Sequence, residues 1–288
     1  MRTNEYSRLG QQGVYTLCDF DPPGVPLMLD SPHSGSVYPS GFAKSVNPLF
    51  LKEAEDRKID LLFEDSACAL GLPFLKAEFP RIFIDPNRAP GDIDPSHVKG
   101  SLPFRVEPGH RGRAGIGIIR WWIRPGEPLY TSRVEAAEIC ARLETYYHPY
   151  YAVLLNRLER LRQDYGVVWH INLHAMPPET CSHDIVLGDR DGVSCAPQFT
   201  RMAHAFFEAE GMDVAVNTPF KGVEILRRAG NPQAGFHSLQ VEVNKRLYLD
   251  RGTQEPHEGL APMQDLMHRF LQTAAEWVQA GLLTQAAD

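Results

Sequence analysis

The stretch VPLMLDSPHSG (residues 25–35) runs apolar as far as Leu29, turns polar at Asp30, and carries a proline and His33 just beyond. A short apolar run closed by turn-forming residues reads as a buried strand, and its polar tail as the loop leaving the strand's carboxyl end. The same signature recurs in LPFLKA (72–77), RIFID (81–85), VVWHINLH (167–174), HDIVLG (183–188), DVAVN (213–217) and SLQVEVN (238–244). Helical patterns fill the intervals near 48–70, 131–164, 196–210 and 261–280. The third ends at Gly211 as a helix terminus should, and Pro149 is expected to kink or divide the second. Alternation of this kind predicts an α/β fold with helices covering a mixed or parallel sheet. Residues 86–130, rich in Pro, Gly and Arg, predict a long irregular excursion over one face. No internal repeat is visible, and residues 1–288 are expected to form one domain.

Of the 288 residues 43% are hydrophobic and 23% charged, a composition that speaks for a globular chain and against disorder. The start MRTNEYSRLGQQG has no apolar signal-like run, and no window reaches the length of a membrane span, so a cytoplasmic location is expected. The five cysteines lie far apart with no C-x-x-C pair, which argues against a disulfide framework and a thiolate metal cluster. A formal charge of −7 disfavours a nucleic-acid surface. Arginines nevertheless crowd into residues 105–124, at Arg105, Arg111, Arg113, Arg120 and Arg124, and suit either a solvated loop or a small anion.

Ligands of open α/β sheets bind beyond the carboxyl ends of the strands, so polar residues that close apolar runs are the ones to collect. His33 and His174 both fall at such ends and can meet over the sheet edge. A catalytic zinc usually takes three protein ligands, which calls for a third donor. A helix drawn through 48–70 puts Asp56 on a face with Leu49, Ile59, Phe63, Ala67 and Leu70, with Asp60 one turn on. A carboxylate among apolar neighbours must be paired or bind a metal, so Asp56 is either a ligand or the partner of an arginine. Arg81 and Arg88, with Asn87 beside the latter, suit a substrate carboxylate or ion pairs with Asp85, Asp92 or Asp94. Glu242 alternates with Val241 and Val243; it is either solvated, the simpler reading of the pattern, or a general base facing a pocket. No G-x-S-x-G elbow surrounds Ser31 or Ser34, which argues against a serine hydrolase.

Together, DSPHSGSVYP, AEDRKID, FPRIFIDPNR, INLHAMP, DIVLGD and SLQVEVNKRLY, in this order over residues 25–250, closely resemble the N-formylglutamate amidohydrolase family. The resemblance implies a zinc-carboxypeptidase-like three-layer sandwich around a mixed, largely parallel sheet. It also implies metal-dependent hydrolysis of an N-formyl amino acid to formate and the free amino acid. It maps two zinc ligands onto His33 and His174, the carbonyl-polarising arginine onto Arg81, a carboxylate-gripping pair onto Asn87 and Arg88, and the catalytic glutamate onto Glu242. Wider relatives place an acid three residues after the first histidine, where this chain has Ser36, so the helical reading puts the middle ligand at Asp56. Arg120 or a neighbour is expected to take a second substrate carboxylate. The expected cofactor is one Zn2+ and the expected partner a small N-acyl amino acid. The rival readings are an aspartoacylase-like hydrolase of the same fold and a metal-free small-anion-binding protein.

Overall fold

The computed structural model describes residues 5–21 and 23–285. Within them eight strands join one mixed sheet: β1 (Glu5–Gln11), β2 (Tyr15–Asp21), β3 (Leu27–Ser31), β4 (Phe74–Ala77), β5 (Val168–Met176), β6 (Ile185–Gly188), β7 (Val214–Val216) and β8 (Phe236–Asn244). Their spatial order is β1-β2-β4-β3-β5-β8-β6-β7. The central four, β4, β3, β5 and β8, are mutually parallel, so their carboxyl ends open on one edge. β2 and β6 flank them antiparallel. The sheet is thus mixed and largely parallel, as expected.

Helices α1 (Pro48–Ala54), α2 (Ile59–Ala69), α3 (Ala136–Arg142), α4 (His148–Tyr165), α5 (Pro197–Ala209), α6 (Glu224–Ala229) and α7 (Leu260–Gln285) complete the layers. Side chains of α2, α5 and α7 cover one face of the sheet, packing on Leu27, Leu29, Ile171, Leu239 and Val241. Helices α3, α4 and α6 lie with Met28, Leu75 and the 79–119 segment on the other. Successive strand residues point to opposite faces, and β5 uses this sharply. Trp169, Ile171 and Leu173 enter the first core, while His170, Asn172 and His174 point to the second face. No helix among the described residues is long and apolar enough to cross a membrane.

Three expectations need correction, and one hairpin lies outside them. RIFID is a turn and not a strand: Pro80 closes it, with Phe83 N donating to Pro80 O at 2.9 Å, and Ile84 is buried against Ile93 and Ile118 instead of in the sheet. The hairpin β1–β2 lacks a continuous apolar run and escaped the pattern. The helix drawn through 48–70 is two helices with a break at residues 55–58, where Lys58 takes a left-handed φ of 61°. Asp56 lies in that break, its N–H donating to His33 O at 3.0 Å. α1 buries none of its residues, so the shared face with Leu49 does not exist. Asp60 turns away to Lys76. Pro149 does not divide its helix: the chain stays helical from α3 to α4, and a π turn at Leu143–Tyr147 just before Pro149 is the one irregularity.

Candidate active site

The sheet edge supplies the site. His33 follows β3, Arg81 to Arg88 follow β4, His174 lies near the carboxyl end of β5, and Glu242 is its register partner on β8. All eight residues singled out from the sequence, His33, Asp56, Arg81, Asn87, Arg88, Arg120, His174 and Glu242, line one cavity of about 350 Å³.

At its floor, ligand atoms of His33, Asp56 and His174 lie within 4.8 Å of one another, and all three residues are buried. Asp56 Oδ2 is 2.7 Å from His174 Nδ1 and 3.3 Å from His33 Nδ1, so both rings present the same nitrogen to one carboxylate oxygen. Their far nitrogens are braced. His33 Nε2 lies 2.7 Å from Asp85 Oδ1, and His174 Nε2 lies 2.9 Å from Asn172 Oδ1 and 3.1 Å from Asn87 Nδ2. Asn172 in turn donates to Asp30, a fully buried carboxylate that also holds His170 and the Tyr150 hydroxyl. Imidazoles that ligate metals through one nitrogen characteristically donate from the other to a carboxylate or carbonyl. Two imidazoles and a carboxylate are a donor set for zinc, and for iron, cobalt or manganese by the same chemistry.

Arg81 joins the carboxylates, donating from Nη1 to Asp56 at 3.2 Å and from Nη2 to Asp85 at 3.0 Å. Burial alone would raise both carboxyl pKa values; Arg81 and His33 outweigh it and hold both well below the usual range. The ion pairs weighed for Arg81 are therefore real, with Asp85 and also with Asp56. Arg88 differs. It donates to the Asn87 carbonyl at 3.0 Å, while Arg120 donates from Nε to the Trp122 carbonyl at 3.0 Å, and neither has a carboxylate partner among the described residues. Burial, with Arg81 nearby, pushes Arg120 down to about 10. Among the described residues the Nε–H groups of Arg81 and Arg88 are buried without partners, a cost of ~1–3 kcal/mol each. Asn87 is fixed by Ile225 N, which donates to its side-chain oxygen at 3.0 Å.

Glu242 is 8% exposed and accepts from Gln240 at 3.0 Å, so the solvated reading fails. Burial raises its pKa to about 7, against the attraction of His174. Asp85 is legible in the sequence as a polar residue closing RIFI and as an ion-pair partner, but its contact with His33 is not, and nothing there points to Asn172 or to the contact Lys245 makes; these parts depend on neighbours distant in sequence.

Cavity, strand ends and donor cluster together define an α/β enzyme with a metal-type centre. The family model for N-formylglutamate amidohydrolase matches residues 25–249, and the chain belongs to that family. The N-formylglutamate deformylase of Pseudomonas putida is 28% identical over 275 residues, covering 88% of this chain and 93% of that protein. The crystal structure of N-formylglutamate amidohydrolase from Ralstonia eutropha JMP134 superposes with a TM-score of 0.89 at 37% identity, covering 93% of this chain and 99% of that one. A gene product of Agrobacterium tumefaciens shares the fold with a TM-score of 0.67 at 16% identity, over 92% of this chain and 96% of that one.

Proposed function

We propose that the protein hydrolyses the N-formyl amide of N-formyl-L-glutamate, releasing formate and glutamate, with one zinc ion held by His33, Asp56 and His174. The observation that carries this reading is the junction, in one cavity, of a three-donor cluster and two arginines, Arg88 and Arg120, with no carboxylate partner among the described residues. The cluster suits the hydrolysis and the arginines suit a dicarboxylate. Family membership and the deformylase relatives support the choice of substrate.

Held by His33, Asp56 and His174, a zinc ion would supply the acidity that lets water attack near neutral pH and would draw charge from a carbonyl oxygen. Glu242, ionised, takes a proton from the attacking water as the new C–O bond forms at the formyl carbon. Arg81, which lines the cavity, stabilises the charge that develops on the formyl oxygen. Glu242 then passes the proton to the nitrogen as the C–N bond breaks, leaving formate and an amine. Arg88 and Asn87 hold the α-carboxylate, and Arg120 the side-chain carboxylate.

The test is formate release from N-formylglutamate compared with acetate release from N-acetylglutamate and N-acetylaspartate, with metal content measured on the same sample. Formate release with about one zinc per chain is expected. Preferred acetate release would favour an aspartoacylase-like activity, and a folded, metal-free, inactive protein would favour a binding role.

A further inference from the structure

We propose that Lys245 is the positioning residue of the metal-type centre: its ammonium, planted just after β8, grips the backbone immediately before Asp56, at the end of α1 where the turn that presents Asp56 begins. The inference rests on reading His33, Asp56 and His174 as metal ligands.

Asp56 is the ligand with the least regular support, since it lies between two helices and α1 buries no residue that would anchor its end. Lys245 Nζ donates to the carbonyls of Glu53 and Glu55, at 3.0 and 2.5 Å. Glu53 lies in the last turn of α1 and Glu55 caps it. These carbonyls belong to the set a helix leaves unpaired, at the end where its dipole favours a cation. The lysine is only 4% exposed, so it is committed to this place, and burial lowers its pKa to about 8 despite Asp56 and Glu55 nearby.

The connection closes a ring. Asp56 N–H donates to the His33 carbonyl, Lys245 holds the residues on either side of Ala54, and three residues before Lys245 the strand it follows, β8, carries Glu242. Glu242 pairs in register with His174, whose strand lies beside that leading to His33. Lys245 thereby fixes the turn of the middle ligand to the strand of the proposed base. Lys245 also lines both the 350 Å³ cavity and an adjoining one of about 720 Å³. The outer end of the turn is held separately, by Arg57 donating to Gln254 O at 2.7 Å and by Tyr248 donating to Arg57 O at 3.0 Å.

The experiment is Zn2+ affinity, measured by competition with a chelator on folded, initially metal-free protein. Lys245→Met should weaken binding ~10–100-fold, the usual effect of losing a group that orients a ligand. Lys245→Arg, whose fork can reach two carbonyls, should stay within about threefold of wild type. Lys245→Gln is the milder truncation and carries the test if the methionine variant does not fold. Lys76→Met removes a lysine ion-paired with Glu64 and Asp60 on the far side of α2 and should lower the melting temperature without weakening Zn2+ binding. Wild-type affinity in a folded Met or Gln variant would overturn the proposal, as would equal weakening in Lys76→Met or Lys245→Arg. A wild-type protein that binds no Zn2+ would instead overturn the metal reading on which it stands.

Discussion

His174 and Glu242 are register partners on adjacent parallel strands, β5 and β8, so a proposed metal ligand and the proposed base stand on one face of the sheet at a spacing fixed by the ladder. Glu242 is thus beside the centre without belonging to the three-donor cluster. Glu242→Gln keeps shape and hydrogen-bonding capacity but removes the proton acceptor. It should retain metal at wild-type stoichiometry and lower formate release by ~100 to 10,000-fold. His174→Ala should lose metal and activity together. Metal analysis and formate assay of both variants check this, and a fully active Glu242→Gln would end the assignment of the base.

Burial also makes Glu242 a pH-sensitive element. Its folded-state pKa of about 7 lies above the ordinary 4.5, so between those values the metal-free folded protein binds more protons than the unfolded chain. Stability contributed by that protonated carboxyl is present at low pH and lost as pH rises through 7, by up to about 3 kcal/mol. The glutamine variant has no such loss. Metal-free Glu242→Gln should therefore melt near the wild-type temperature at pH 5 and several degrees above it at pH 8. In the metal-loaded enzyme the cation favours the carboxylate, so the acid limb of kcat/KM should fall at or below pH 7, with rate lost as pH drops. Melting curves and a pH–rate profile test the two halves separately.

The strands that position the site were legible wherever burial wrote a short apolar run, as in VPLMLD and DIVLG. The turn RIFID shows the limit of that signal, because Ile84 is as buried in a loop contact as it would be in a strand. Burial is what an apolar pattern records, and strand pairing is one way among several to achieve it. Asp56 was singled out because a carboxylate near apolar residues needs a partner, a principle that survives although the helix drawn through it does not. Glu242 stayed open because alternation gives a direction but not what lies there; the register with His174 supplies it. Asp85 carries a local signal only as the polar residue that closes RIFI, and nothing local points from Asn172 or Lys245 to the groups they touch. Each matters through a contact across the fold, with His33, His174 and the Asp56 turn respectively.

Asp85 offers a test of those contacts. Its Oδ1 is 2.7 Å from His33 Nε2, its Oδ2 accepts from Arg81 at 3.0 Å, and its Oδ1 also accepts from Asn87 N at 2.9 Å. One carboxylate thus orients a proposed ligand, the proposed carbonyl-polarising arginine and the start of the carboxylate-gripping pair. Asp85→Asn retains size but can accept with one oxygen only. It should weaken zinc binding ~10–100-fold and, at saturating zinc, still leave kcat reduced because Arg81 is misoriented. Chelator competition and kinetics at saturating metal separate the two losses. Full recovery of kcat at high zinc would confine Asp85 to the metal.

Arg88 should act on substrate binding, since it has no carboxylate partner among the described residues and its buried Nε–H is unsatisfied. A charged hydrogen-bonded pair contributes about 1.5–3 kcal/mol, so Arg88→Lys, which loses the planar fork, should raise KM ~10–100-fold with kcat changed little. Substrate variation makes the assignment specific. The α-amide of N-formylglutamate should be a poor substrate of the wild type, and Arg88→Lys should impair it little further, because the partner is already gone. N-formylglutamine should show the same non-additivity with Arg120→Gln and not with Arg88→Lys. Additive losses in both pairings would mean that these arginines do not hold the carboxylates assigned to them, and would return them to a general role in keeping the cavity positive.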